Sequence, residues 1–270
     1  MAPLSVIGMD TDMNLLAAVA AVATEAGDRL LAVYSPDARP AGRDELLKAA
    51  TRNEEVSSAG MRDALTALRP GARWLEEENE TGPLPGGEWW VVDNAEGSVN
   101  HVHGLPEWAV TATLLRDGRP VLAVVRQPVA DLTYTAVAGG GAWVNGQRLT
   151  TSAKRDLDAA VVGTGQAEAG QDETHARIGR SIAAMLGEAL LVRASVPSTF
   201  PMLRVAAGQE DAFWLYSPVL PGVAAGALFV TEAGGIVSRL DGSAWQPGAA
   251  DILVCAPALH QDVVRVLATA

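Results

Sequence analysis

The segment 90–100 constrains the fold of this chain more than any other. An apolar run at its start predicts a buried strand, and two carboxylates, Asp93 and Glu96, follow directly. Carboxylates at positions i and i+3 of a turn can converge on one cation, and such ligands suit Mg²⁺, Mn²⁺ or Ca²⁺. Gly97 permits a close backbone approach, and Ser98 can orient a water molecule or cap a helix that attracts phosphate. An acidic surface turn with a serine cap is the alternative interpretation.

Composition and charge limit which kinds of molecule this protein is expected to bind. The chain has 270 residues, 49% of them hydrophobic, and a net charge of −12. This acidic balance argues against binding to nucleic acid or to an anionic membrane, both of which need a basic surface. Cys255 is the single cysteine, so an intrachain disulfide is excluded and a zinc site built on cysteines is disfavoured. No apolar run reaches the roughly 18 residues of a membrane span, and the start lacks a basic leader, so we expect a cytoplasmic protein.

The first half of the chain, residues 1–152, is predicted to be α+β. Apolar residues at helical spacing predict helices over 13–35 and 45–68, the second ended by Pro70-Gly71. Closely spaced strands follow from residue 89 and imply a mostly antiparallel sheet. Asn145-Gly146 predicts a tight hairpin, because both residues tolerate positive φ.

The second half, residues 153–270, is predicted to be α/β. Strands and helices alternate, and the apolar stretch 222–233 predicts a buried helix closed by Gly234-Gly235. Neither a linker between the halves nor an internal repeat is visible in the sequence.

Four segments together resemble the inositol monophosphatase family of Mg²⁺-dependent, lithium-sensitive phosphatases. Residues 90–104 resemble its W-I-I-D-P-I-D-G-T-x-N-F-V-H-G signature, and residues 139–146 resemble its G-x-G-A-x-x-N-G hairpin. Residues 222–235 resemble its W-D-x-A-A-G-x-x-x-x-x-E-A-G-G helix, and residues 75–78 resemble the upstream segment that carries a glutamate. The resemblance implies a layered α-β-α-β-α sandwich, a small-molecule substrate and, by family analogy, a homodimer.

The resemblance also implies two metal sites, of which only the first is complete in this chain. The first would use Glu77, Asp93 and the carbonyl of Ala95, all of which are present. The second would use Asp93 and two aspartates, but this chain has Glu96 and Gly222 at those positions. Mg²⁺ requires near-ideal geometry at roughly 2.0–2.1 Å, so a longer carboxylate is not equivalent to aspartate. We therefore expect Mg²⁺, or Mn²⁺ in its place, in fewer copies than the family's full complement, unless Asp211, Glu78 or Glu80 supplies the missing ligand.

The resemblance assigns roles to further residues around the metals. Glu77 and Ser98, which stands at the family's threonine position, would hold the attacking water, and Asp93 completes the catalytic set. Gly97 and Ser98 would contact phosphate, while Asn94 replaces the signature proline. The residues expected to line the substrate pocket are His101, Arg193, Trp214, Leu215 and Gly222.

The substrate side departs from the family pattern. Leu215 aligns with the glutamate that contacts sugar hydroxyls in the family, and residues 196–199 align with its Gly-Ser-Ala-Ala loop. The pocket is therefore expected to be less suited to a polyol, with Trp214 and Tyr216 either lining it or packed in the core. His101, where the family has phenylalanine, is either structural or a group that titrates near neutrality beside the site.

Three functions are consistent with these residues. The first is a Mg²⁺-dependent phosphatase-like enzyme, of the phosphoric monoester hydrolase type, for a small metabolite other than inositol phosphate. The second is a family member that catalyses a different reaction on a phosphorylated, diphosphorylated or apolar metabolite. The third is a non-catalytic protein with a degenerate phosphatase site.

Overall fold

Three helices at the start of the chain cover one face of a large sheet. The structure, a computed structural model, describes residues 6–76, 82, 84–166 and 172–270, with side chains from residue 12 onward except that of 172. Helix α1 (Val6–Leu31) buries residues at three- and four-residue steps, among them Val19, Ala23 and Ala26. The helix predicted over 45–68 is instead two helices.

The break between these two helices has a local cause. Helix α2 (Arg43–Ser58) and helix α3 (Met61–Leu68) are separated at Gly60, which adopts φ +70. This left-handed conformation is costly for residues that carry a Cβ atom, and it redirects the chain so that Met61 and Leu65 face the core.

The first sheet contains seven strands in sequence order and is antiparallel except for its first pair. Its strands are β1 (Arg73–Trp74), β2 (Glu88–Glu96), β3 (Ala109–Arg116), β4 (Arg119–Gln127), β5 (Leu132–Val137), β6 (Gly141–Val144) and β7 (Gln147–Arg148). The predicted hairpin is present: Asn145 and Gly146 connect β6 to β7 with φ +45 and +79. A short helix, α4 (Ser98–Val102), follows β2.

The second sheet contains five strands in the order β11-β12-β10-β8-β9. They are β8 (Val161–Thr164), β9 (Leu191–Ala194), β10 (Ala212–Tyr216), β11 (Ile236–Ser238) and β12 (Asp251–Cys255). The helices that accompany them are α5 (Asp172–Leu186), α6 (Thr199–Ala206), α7 (Leu220–Glu232) and α8 (His260–Leu267).

These elements stack in five layers. Helices α1 and α3 pack on the outer face of the first sheet, and α6 and α7 lie between the two sheets in a common core. Helices α5 and α8 cover the outer face of the second sheet. The expected α-β-α-β-α sandwich is confirmed. In the described part of the chain, no helix combines the length and the apolar character that crossing a membrane requires.

His101 belongs to the packing that holds α4 in place. Its ring is 4% exposed and lies against the rings of Tyr34 and Trp108, with centroids 5.3 and 4.8 Å away. Its Nε2 lies 3.1 Å from the carbonyl oxygen of Leu30, which can only accept, so Nε2 carries the proton. Its Nδ1 then accepts from the Asn53 amide at 2.9 Å. The ring is therefore bound in its neutral form, and burial lowers its pKa.

We predict that the folded protein loses stability as the pH falls through about 6.5, the ordinary pKa of histidine. The unfolded chain takes up the proton first, because the folded pKa of His101 is lowered, so stability is complete above this pH and declines below it. The pKa of His260 is also lowered by burial and adds to the effect. His101→Phe should remove part of the slope of unfolding free energy against pH, measured by urea denaturation between about pH 5 and 8.

His103→Phe is the matched control, because His103 makes its hydrogen bond at the surface. The unfolding free energy of this variant should depend on pH as it does in the unmodified protein. An unchanged slope in His101→Phe would contradict the assignment.

Candidate metal and phosphate site

A bulge in strand β2 places the carboxylates of Asp93 and Glu96 at the same cavity. Asp93 pairs with Thr111 and Glu96 pairs with Ala109. Between these two pairs, β2 therefore contains one residue more than β3. In a regular strand, side chains three residues apart point to opposite faces. The extra residue changes this alternation, and both Asp93 and Glu96 line the same cavity.

Backbone amides orient both carboxylates. The amide of Ala95 donates to Asp93 Oδ1 at 2.9 Å, and the amide of Thr199, at the start of α6, donates to Glu96 Oε1 at 3.3 Å. Burial raises the pKa of Asp93 well above its ordinary value, and the adjacent Glu96 raises it further. Two neighbouring carboxylates in such surroundings are stable as a charged pair only when a cation balances them.

The turn after Glu96 accepts only glycine at its first position. Gly97 has φ +81, and a Cβ atom there would lie 2.8 Å from the carbonyl oxygen of Glu107. Ser98 follows with its Oγ atom buried and without a hydrogen-bond partner in the described structure. A buried hydroxyl without a partner is uncommon, and Ser98 is one of the residues that line the cavity beside the carboxylates.

Two asparagines that sequence reasoning left without a role support this turn. The Asn94 side-chain amide donates to the carbonyl of Glu54 and to Ser57 Oγ, which ties the end of β2 to α2. The Asn100 amide donates to the carbonyls of Glu107 and Val196, which joins α4 to the loop before α6. At the position of the signature proline, the two hydrogen bonds of the Asn94 side chain thus hold the backbone in place.

Gly222 lies in the first turn of α7, and Ser198 occupies the space beside it. The Gly222 carbonyl accepts from Ser198 Oγ at 2.7 Å and from Thr199 Oγ1 at 3.2 Å. A Cβ atom at Gly222 would lie 2.8 Å from Ser198 Oγ. The Ser198 hydroxyl therefore occupies the space that a carboxylate side chain at position 222 would enter.

The cavity is acidic. It has a volume of about 760 Å³, and its charged lining residues in the described part of the chain are Glu54, Glu76, Asp93 and Glu96. Arginine and lysine are absent from the described lining, so an anionic substrate needs a bound cation to enter it. Among described residues no three His, Cys, Asp or Glu side chains group as metal ligands. The expected ligand Glu77, with Glu78 and Glu80, lies outside the described residues.

Leu215 and Gly222 line the cavity as expected, but Trp214 does not. Successive side chains of β10 point to opposite faces, so Leu215 faces α6 and α7 while Trp214 faces α5. Trp214 is fully buried there, and its Nε1 donates to Ser181 Oγ at 2.9 Å. Tyr216 lies on the same outer face, where Arg177 stacks on its ring.

Three other candidates also lie away from the cavity. His101 is in the packing described above and is absent from the cavity lining. Arg193 is on edge strand β9 with its side chain 55% exposed, and its Nε atom lies 3.9 Å from Glu210 Oε1. Asp211 accepts from Lys154 Nζ and from the amide of Val161, so it does not replace the missing ligand.

The described residues fit a divalent cation of the Mg²⁺ type. Asp93 and Glu96 supply hard oxygen ligands, and the unpartnered Ser98 hydroxyl lies at the same cavity. This arrangement can hold a cation and a phosphate group side by side.

Comparisons with known proteins agree with this geometry. A model of the inositol monophosphatase family matches residues 12–269. An inositol-1-monophosphatase of Rhizobium meliloti (strain 1021) is 35% identical over 211 residues, which cover 76% of this chain and 79% of that protein. A Nus factor SuhB of Escherichia coli (strain K12) is 31% identical over 224 residues, which cover 82% and 83% of the two chains.

The fold is shared with solved structures as well. The structure of an inositol monophosphatase from Anabaena (Nostoc) sp. PCC 7120 matches with a TM-score of 0.81 at 23% identity and covers 96% of both chains. The match to the family model over nearly the whole chain and the identity to the Rhizobium protein together show that this chain belongs to the inositol monophosphatase family.

Proposed function

We propose that this protein is a Mg²⁺-dependent phosphatase that acts on a small phosphorylated metabolite other than inositol phosphate. The observation that carries the proposal is the pair Asp93 and Glu96 on a cavity whose described charged lining is entirely acidic. Asp93 and Glu96 would repel an anionic substrate unless a cation were bound between them and the substrate. The family match supports phosphate ester hydrolysis as the reaction.

Asp93, Glu96 and the Ala95 carbonyl would hold the cation, and family analogy adds Glu77. When bound, Mg²⁺ or Mn²⁺ supplies the positive charge that stabilises the phosphate and lowers the pKa of a coordinated water. The Ser98 hydroxyl, together with Glu77, would orient the attacking water, and Gly97 lets the phosphate approach the backbone. The Thr199 amide keeps Glu96 oriented during this chemistry.

The second metal site is proposed to be weak. Glu96 is longer than aspartate by one methylene, and Gly222 offers no side-chain ligand. A cation held at this second site would supply charge to stabilise the leaving oxygen, so weaker binding there would lower the rate of phosphate release. We infer that the protein works with fewer cations than the family's full complement.

Leu215 supports a substrate other than inositol phosphate. Its side chain, with those of Val219 and Pro221, forms an apolar wall where the family has a glutamate for sugar hydroxyls. A polyol would lose hydrogen bonds to water at this wall without replacing them. The net charge of −12 favours a small-molecule substrate over nucleic acid, and a homodimer is proposed by family analogy.

A second candidate function is a different reaction on a phosphorylated, diphosphorylated or apolar metabolite. The contact of Ser198 with Gly222 favours it, because the space of the missing carboxylate is closed and hydrogen-bonded rather than left open. The third candidate, a non-catalytic protein, requires that the site bind no Mg²⁺.

Asp93→Asn should abolish Mg²⁺-dependent phosphate release, with a loss on the order of 100-fold or more, because it removes the carboxylate charge shared by both sites. Phosphate release from a panel of phosphate esters and calorimetric titration with Mg²⁺ measure the effect. Asp158→Asn, at an exposed position, is the matched control and should retain both properties. Equal Mg²⁺ binding by Asp93→Asn and the unmodified protein would argue against the site.

Restoring the second site should require a change at Ser198 as well as at the ligand positions. Gly222→Asp with Glu96→Asp should have little effect alone, because Ser198 Oγ lies 2.8 Å from the added Cβ. Adding Ser198→Ala should raise Mg²⁺-dependent kcat by about 10- to 100-fold over the Ser198→Ala baseline. A triple variant no faster than this baseline would show that the missing carboxylate does not limit the rate.

A further inference from the structure

A second, smaller cavity lies beside the acidic one. Its volume is about 370 Å³, and α5 and the chain that follows β9 form its walls. Gly165, Gln166 and Val196 line both cavities, so the two are neighbours along this edge. The residues that line only the second cavity are His175, Ile178, Gly179, Ala194 and Ser195.

The chemistry of the second cavity differs from that of the first. Its described lining contains no carboxylate and consists mainly of small or aliphatic residues. Gly179 is exposed on this side of α5, and a Cβ atom built there meets no atom within 4 Å, so a larger side chain fits at this position. The polar lining residues are Gln166, His175 and Ser195, and the Ser195 Oγ atom is buried without a hydrogen-bond partner in the described structure. Such a lining suits an uncharged, largely apolar group.

Leu215 lines the acidic cavity and packs against Gly165, which lines both cavities. Its Cδ1 atom would lie 2.8 Å from a Cβ atom at Gly165, so the leucine packs directly against the glycine backbone. A larger residue at position 165 would displace the leucine. The path from the carboxylates to the second cavity therefore passes an apolar wall.

We propose that the second cavity is a subsite for the apolar part of the phosphorylated substrate, an alkyl or aryl group carried by a phosphate monoester. This proposal rests on the proposed function, because that function places the phosphate at Asp93 and Glu96. The charged end of the substrate lies in the acidic cavity with its cation, and the uncharged end extends past Leu215 along α5. Burial of the apolar group releases it from water and supplies binding energy that a polyol lacks.

The test measures binding without catalysis. Methylphosphonate and hexylphosphonate, two stable analogues of phosphate esters, are titrated calorimetrically into the full chain with millimolar Mg²⁺. We expect hexylphosphonate to bind at least about tenfold more tightly, because the added methylenes leave water. Gly179→Phe, which fills the cavity from α5, should reduce this ratio to within about twofold and leave the Kd of methylphosphonate unchanged.

Two further variants complete the design. Ala194→Phe fills the cavity from the opposite wall and should have the same effect, so the test does not depend on the folding of one variant. Gly187→Phe, at a turn after α5 and outside the lining, is the matched control and should keep the ratio of the unmodified protein. Thermal unfolding followed by circular dichroism shows that each variant is folded.

The outcomes separate this subsite from the proposed function. Three results would overturn the subsite. In the unmodified protein, the two phosphonates bind with Kd values within about twofold of each other, or neither binds. Alternatively, both filling variants keep the ratio of the two Kd values unchanged. Tight hexylphosphonate binding that the filling variants weaken supports it, even where no phosphate ester is hydrolysed. Hydrolysis of methyl phosphate without a preference for longer esters leaves the proposed function standing and overturns the subsite.

Discussion

The site depends on two carboxylates, Asp93 and Glu96, held next to each other at the end of a buried strand. Each is oriented by a backbone amide, and burial and the adjacent Glu96 raise the pKa of Asp93 well above its ordinary value. A bound cation would resolve this conflict, because its charge would outweigh the repulsion between the two carboxylates. The bulge in β2 brings both side chains to the acidic cavity, and the Thr199 amide at the start of α6 donates to Glu96.

The departures from the family pattern are accommodated by neighbouring residues. Ser198 hydrogen-bonds the carbonyl of Gly222 and fills the space beside it, and Gly165 leaves the room that Leu215 uses. Asn94 replaces a signature proline with two hydrogen bonds to α2. The altered positions are thus packed and hydrogen-bonded.

Much of the fold could be predicted because the elements have strong local periodicity. The strand before Asp93, the Asn145-Gly146 hairpin and the alternating second half are all present in the structure. The split of the second helix at Gly60 was not predicted, since one glycine inside an apolar pattern does not by itself indicate a left-handed residue. Strand alternation could have excluded Trp214 from the cavity once Leu215 was assigned to it.

The sequence by itself determined the family and the five-layer fold, and it supplied the candidate oxygen ligands. These depend on residue types at short spacings, which a linear pattern records. Only the tertiary structure decided that Asp93 and Glu96 share one cavity, that Ser198 closes the space beside Gly222, and that His101 packs as a neutral ring away from the site. These outcomes depend on the β2 bulge and on contacts between residues far apart in the chain, whose geometry is set by packing.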